Sequence, residues 1–450
     1  MTPREPLCRC APLQVLRRLV LTAWIACMAP DMASADAAHP ADAWVSTWIA
    51  SPQPPLPHAV DHYEAQSLRL IAHVSAGGTQ ARIRLSNLDG DTPLTIGAAH
   101  VARRTHDADI DPDSDRALTF HGHASVVIPA HATVWSDAVR VAITPLSDLS
   151  VSLYLPKATS ATTVHILAQQ TSYVSQPGNA VADAHFPVAR RLDMWPFLSG
   201  IDVEAAPPLF AVAAFGDSTV DGDGSTPDAN QRWPDALAAR LQQAGKHVAV
   251  LNAGLIGNRL LRDSPRGTPY GQALGEAGLT RFSRDALDQP GVTVVIVRMG
   301  SNDIGFVHAL DPSGETVDAN ALIAGYRRLI ALAHQHGVGI IGTTIPPFEN
   351  ASLPGYSTPA KEAIRQQVNA WIRQDQAFDA LLDADQILRD PSHPARLLAS
   401  QDSGDHLHPN DAGYRALAQA LPLETLERLA NRPARAPSPA TANTRKGQAQ

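Results

Sequence analysis

The chain has 450 residues, a formal net charge of −8, 44% hydrophobic residues and only 5% aromatic ones. That length accommodates two ordinary domains with well-buried cores. The acidic balance without a basic stripe argues against a nucleic-acid partner, and the scarcity of aromatics against a broad stacking platform.

The N-terminus reads as a targeting segment over residues 1–35. Arg4, Arg9, Arg17 and Arg18 precede the apolar run Leu19–Ala29, and Ala33-Ser34-Ala35 offers a small-residue cleavage site. The run is short for a membrane span, and no other stretch is long and apolar enough for one. The expectation is a secreted or periplasmic protein. Cys8, Cys10 and Cys27 all fall in this segment, so the mature chain would hold no disulfide and no thiolate metal site. A lipid anchor on Cys27 is the minor alternative.

Between residues 44 and 200 the apolar pattern has period two. Arg69–Val74, Ala81–Leu85, Ser125–Ile128, Ala138–Ala142 and Leu149–Tyr154 read as strands separated by Gly, Pro, Asp and Asn clusters. An antiparallel β-sandwich of the jelly-roll kind is expected. Its role is bracing, cleft shaping or carbohydrate binding, with bracing the default. Trp44–Pro52 is apolar enough to pack onto the C-terminal domain, and Pro207-Pro208 marks the junction.

From residue 205 to 428 strands alternate with helical stripes, and 429–450 reads as a disordered tail. The strand-like runs are Leu209–Phe215, Val248–Leu251, Val292–Val297 and Val338–Gly342. The helical stripes are Arg232–Ala244, with Trp233, Leu237 and Leu241 on one face, then Asn320–His336 and Ala360–Arg373. This alternation implies a parallel sheet with helices on both faces. Three polar segments follow the strands: Gly216-Asp217-Ser218, Asn252–Asn258 and Gly300-Ser301-Asn302-Asp303. Open α/β sheets place reactive groups in such loops at the strands' carboxyl ends. A fourth segment, Asp405-His406-Leu407-His408-Pro409, precedes a helical pattern near the C-terminus.

Over roughly residues 205–425 the chain resembles the SGNH (GDSL-type) serine hydrolases, whose four blocks carry Ser, Gly, Asn and His in that order. The matching residues are Ser218, Gly257, Asn302 and His408, with Asp405 in the Asp-x-x-His arrangement. The first block reads Gly-Asp-Ser-Thr, a departure at its fourth position. Asn230–Asp235, Gly257–Leu261, Ser301–Gly305 and Trp44–Pro52 further resemble a two-part bacterial subgroup of secreted carbohydrate or aryl esterases. The resemblance implies a flavodoxin-like three-layer α/β fold behind the sandwich.

Elementary chemistry agrees with that reading. A serine hydroxyl needs a base held in one tautomer, and His408 with Asp405 one turn earlier makes a compact base unit. The developing oxyanion needs donors fixed in advance. The N–H groups of Ser218 and Gly257 and the amide of Asn302 would supply them, with Gly254 the competing candidate in its block. Asp217 and Asp303 read as structural. Asp-x-x-His-Pro occurs at Asp36/His39, Asp390/His393 and Asp405/His408. The first lies beside the cleavage site and the second in a proline-bracketed turn. His406 reads as a solvated or supporting histidine.

The expected function is therefore a secreted serine esterase needing no metal or organic cofactor. It would act on small acyl esters, with acetyl on plant-type polysaccharides favoured by the subgroup resemblance. An aryl or short-chain lipid esterase is the alternative within the class. Acyl transfer to a sugar uses the same residues, and a catalytically silent polysaccharide-binding protein is the alternative outside the class.

Overall fold

A computed structural model describes residues 44–205, 209–265, 267–312 and 314–432. The targeting segment, Asp36/His39, the proline pair at 207–208 and the chain beyond 432 lie outside the described residues. The described residues form one compact unit.

The N-terminal region is a sandwich of antiparallel sheets. In the first, the strands Trp44–Ile49, Leu198–Glu204, Gly78–Ser86 and Val139–Ile143 lie side by side in that order, with Thr133–Trp135 also pairing to Gly78–Ser86. The second runs Val188–Leu192, Ser172–Pro177, Gln66–Val74, Ser147–Leu155, Ala98–Arg103, Arg116–Ala117. The period-two pattern has its expected meaning: Ala81, Ile83 and Leu85 enter the core between the sheets with Leu68, Leu70, Val151 and Val203. The expected boundary at residue 200 is too early. It cuts the strand Leu198–Glu204, whose Ile201 and Val203 are core residues paired between two neighbours.

The C-terminal region is built on five parallel strands ordered Val248–Ala253, Phe210–Gly216, Val292–Arg298, Gly339–Thr343 and Ala380–Leu382. In chain order that is 2-1-3-4-5, the flavodoxin-like winding. Alternate residues feed opposite layers. Ala211, Ala213 and Phe215 join Phe282, Leu329 and Val368 on one side. Val212 and Ala214 join Trp233, Leu237 and Leu417 on the other. The helices Trp233–Gln243, Ala319–Gln335 and Pro359–Gln374 lie where their apolar stripes predict. Asp318 and Thr358 cap the last two by accepting the N–H groups of Ala321 and Lys361. The short strand Ala380–Leu382 has too few residues for a pattern. The helix Leu423–Ala430 runs past the expected boundary at 428 because Leu429 is buried against the sheet.

The two regions share their packing. Val45 and Ile49 point into the α/β core while Trp48 enters the sandwich core, so the apolar Trp44–Pro52 segment serves both. Hydrogen bonds join them, from Ser46 N–H to Pro290 O at 2.9 Å and from Val250 N–H to Ser75 Oγ at 3.0 Å. Among the described residues, no helix is long and apolar enough to cross a membrane.

Candidate active site

The winding reverses between Phe210–Gly216 and Val292–Arg298, and clefts form at such switch points. Ser218 follows the first of these strands and Asn302 the second. Gly216 is still in the strand and does not itself turn the chain. It supplies room: a Cβ there would lie 2.2 Å from Val220 Cγ2 and 2.4 Å from Arg298 O. The chain turns at Asp217, which caps the short helix Ser218–Asp221 by accepting Thr219 N–H at 3.1 Å. Its other oxygen pairs with the buried guanidinium of Arg298.

Ser218 Oγ lies 2.8 Å from His408 Nε2, and His408 Nδ1 lies 2.5 Å from Asp405 Oδ2. Asp405 Oδ1 accepts the N–H groups of His408 at 2.8 Å and Leu407 at 2.9 Å. Ser403 N–H donates to His408 O at 3.0 Å, closing the loop around the ring. Burial works against the ionised form of Asp405, but its bonds to His408 and to the two N–H groups outweigh it and hold the carboxyl well below the usual carboxylate range. Burial also favours neutral His408. The Asp405 hydrogen bond and the charges of Asp223, Asp405 and Asp217 overcome it, so the ring's pKa lies above the ordinary histidine value.

Three sets of donors surround the serine. Among the described residues, no protein acceptor pairs with the N–H of Ser218 or of Gly257. Gly257 has φ +68°, a left-handed conformation that favours glycine, and a Cβ there would lie 2.6 Å from Leu274 Cδ2, so that side chain would have to shift. Asn302 Nδ2 donates one hydrogen to Asn258 O at 3.0 Å. Its Oδ1 accepts from the Tyr356 hydroxyl at 2.8 Å, which fixes the amide's orientation and leaves the second N–H available. Ser218, Gly257, Asn302, Asp405 and His408 all border one cleft of about 390 Å³. Its other walls are largely apolar, with Ile256, Leu274, Phe306, Leu310 and Leu353 among them. A buried hydroxyl on a histidine, beside unpaired donors and an apolar cleft, can attack a carbonyl and stabilise the oxyanion that results.

A family model for the GDSL-like lipase/acylhydrolase family matches residues 214–416. These residues form a GDSL-like lipase/acylhydrolase domain. No curated protein matches the chain. Among solved structures, a candidate arylesterase from Agrobacterium tumefaciens is 25% identical, covering 48% of this chain and 99% of that one, with a TM-score of 0.36. The aryl esterase of M. smegmatis is 18% identical over 49% and 99%, with a TM-score of 0.37. A lipase/acylhydrolase from Enterococcus faecalis is 19% identical over 50% and 99%, with a TM-score of 0.35.

Within the GDSL-like domain the competing residues part company. Gly254 N–H donates to Asn252 Oδ1 at 2.9 Å, and Gly254 does not border the cleft. Asp303 accepts Leu260 N–H at 2.7 Å and Leu261 N–H at 2.9 Å, pinning the Gly257 loop to the Asn302 loop. His406 has φ +62° and turns to Asp402, 2.5 Å away. Sequence reasoning missed Asp223, whose Oδ2 lies 3.7 Å from His408 Nε2. Burial pushes its pKa up, repulsion from Asp405 and Asp221 adds to this, and His408 opposes it. The available signal was three aspartates within Asp217–Asp223. It also missed Arg281, buried on Phe215 and donating to Gly216 O at 2.6 Å, Ala253 O at 3.0 Å and Asn258 Oδ1 at 2.9 Å. One side chain thus ties the ends of two strands to the Gly257 loop, and nothing local in sequence marks it. Tyr356 lies 54 residues from the amide it orients.

Proposed function

We propose that the chain is a serine esterase in which Ser218 is the nucleophile, His408 the base and Asp405 the group that orients and balances it. The observation that carries this reading is the continuous hydrogen-bonded line from Ser218 Oγ to His408 to Asp405, ending beside unpaired donors. His408 Nε2 takes the hydroxyl proton as Oγ bonds to the ester carbon. The N–H groups of Ser218, Gly257 and Asn302 receive the oxyanion. Collapse expels the alcohol, which leaves with the proton held by His408. Water then repeats the sequence: its proton goes to His408, its oxygen bonds to the acyl carbon, and Ser218 regains its proton as the acid departs. A fluorophosphonate should label Ser218 in the wild type and fail with Ser218→Ala. Labelling at another serine would assign the nucleophile elsewhere.

The proposed substrate is a small acyl ester, with acetyl on a plant-type polysaccharide supported by the subgroup resemblance. The apolar cleft walls favour a second reading, an aryl or short-chain ester. Acetate release from acetylated xylan, xyloglucan and pectin, run beside aryl esters of increasing chain length, separates the two. Export is proposed from residues 1–35, and mass spectrometry of the exported protein should find a first residue near Asp36. A diacylated Cys27 would replace that proposal with a lipid-anchored protein.

A further inference from the structure

The sandwich region contacts the helix that Ser218 begins through a buried histidine. His165 sits in the two-residue strand Val164–His165, which pairs with Trp195–Pro196. It and Asp221 are buried, with side chains 4% and 2% exposed. His165 Nε2 lies 2.8 Å from Asp221 Oδ1, and Nδ1 lies 3.0 Å from Ser51 O. The Ser51 carbonyl can only accept, and so can Asp221 as a carboxylate. A neutral imidazole carries one N–H, so making both bonds requires the imidazolium. The other charged or titratable groups facing the small cavity beside it are Arg232, paired with Asp235, and His73, which lies 2.7 Å from Asp148. Burial and Arg232 disfavour the cation, and the charge and hydrogen bond of Asp221 outweigh them.

Asp221 ends the four-residue helix that Ser218 begins. Its Oδ2 accepts Ile256 N–H at 2.8 Å, one residue before Gly257. Its carbonyl accepts Asn252 Nδ2 at 3.1 Å. One residue therefore joins the serine's helix to the loop presenting the Gly257 N–H, and His165 fixes the carboxylate through which it does so. Stability alone does not call for such a pair, since a buried ion pair seldom outperforms an apolar replacement.

We infer that His165 is a positioning residue for acyl transfer: the sandwich region delivers an imidazolium that clamps Asp221 and so sets the Ser218–Gly257 geometry. This rests on the roles proposed above for Ser218 and Gly257. The test is His165→Gln in the full chain, which keeps a donor and removes the charge. The expected result is kcat lowered about 10- to 100-fold, as small misplacements of reacting groups produce, with KM within about twofold. Fluorophosphonate labelling of Ser218 should slow in parallel. Wild-type kcat should also fall at alkaline pH as His165 loses its proton, and that limb should be missing from the variant. A folded His165→Gln with wild-type kcat overturns the inference. If the variant does not fold, the wild-type profile decides. A fall in kcat while near-UV circular dichroism is intact supports the clamp, and a level kcat up to unfolding overturns it. A wild type that fluorophosphonate leaves unlabelled at Ser218 sinks the esterase reading itself, a failure distinguishable from a labelled enzyme indifferent to His165.

Discussion

Two loops of this molecule carry the same Asp-x-x-His-Pro spelling and could hardly differ more in surroundings. In Asp390–Pro394 the carboxylate accepts Ser392 N–H at 2.7 Å, within its own turn. His393 Nδ1 lies 3.8 Å away and its side chain is 61% exposed. In Asp405–Pro409 the carboxylate and ring meet at 2.5 Å, the ring is 9% exposed, and its far nitrogen lies on Ser218. Spacing brings an acid and a histidine onto one turn in both cases. Within the second motif the N–H groups of Leu407 and His408 both reach one carboxylate oxygen, and what distinguishes it from outside is burial of the ring and a partner 190 residues away.

The hardest test of that contrast is removal of the ring. His408→Ala should lower kcat by about four to six orders of magnitude, leaving the residual catalysis of binding and the oxyanion donors. Steady-state hydrolysis of an aryl acetate by the folded variant measures it. Retention of more than a hundredth of the wild-type rate would show that the two loops had been assigned the wrong way round, a threshold far above what loss of a general base leaves.

Asp405→Asn comes next, at about 10³- to 10⁴-fold in kcat, because an amide no longer selects the tautomer or balances the imidazolium. It also moves the pH dependence. The base must be neutral to work, and the His408 pKa is raised above 6.5, so wild-type kcat/KM should rise with pH through a midpoint above that value. Removing the carboxylate should shift the midpoint down. Stability runs the other way. The raised His408 contributes stability that is fully present below 6.5 and lost as pH rises through its folded value. The depressed Asp405 contributes stability present above 3.8 and lost as pH falls through its folded value. The pair's contribution to Tm should therefore be largest between those limits, below the pH of full activity. Thermal melts at several pH values, wild type against Asp405→Asn, read this difference directly.

Much of this was legible in sequence because it is local. Apolar runs gave four of the five parallel strands, and ordered polar blocks gave Ser218, Gly257, Asn302, Asp405 and His408, which the structure gathers around one cleft. What sequence concealed acts across long separations. Tyr356 meets Asn302 only after the chain has added another strand, and His165 meets Asp221 only when two differently built regions dock. Nothing local marks Arg281, yet it is buried under two strand ends. A pattern rule reads neighbours on a turn or a strand. It has no access to a hydrogen bond whose geometry depends on the packing of a whole layer.

Tyr356→Phe tests one such distant partner, with a smaller effect. Without the hydroxyl, Asn302 Oδ1 loses its donor and the amide is free to rotate its N–H away from the cleft. The loss of one neutral hydrogen bond, about 1 kcal/mol, corresponds to a kcat reduction of roughly 3- to 10-fold. KM should change little, because the ring itself stays packed against Phe306 and Phe348. Equal loss of binding and turnover would mean that Tyr356 serves as a wall and not as the amide's anchor.

The smallest expected effect completes the contrast between the loops. His393→Ala should leave kcat and KM within about twofold and Tm nearly unchanged, as for an exposed side chain away from any core or cap. The reason is specific to the turn. The backbone bonds His393 N–H to Asp390 O at 3.2 Å and Arg396 N–H to His393 O at 2.8 Å survive the substitution. The carboxylate's bond to Ser392 N–H survives as well, since it never involved the ring. Alanine removes only an imidazole whose nearest carboxylate oxygen is beyond hydrogen-bonding distance. A variant slowed tenfold or more would show that the exposed histidine reaches substrate from outside the cleft, and the contrast between a base unit and a turn of the same spelling would fail.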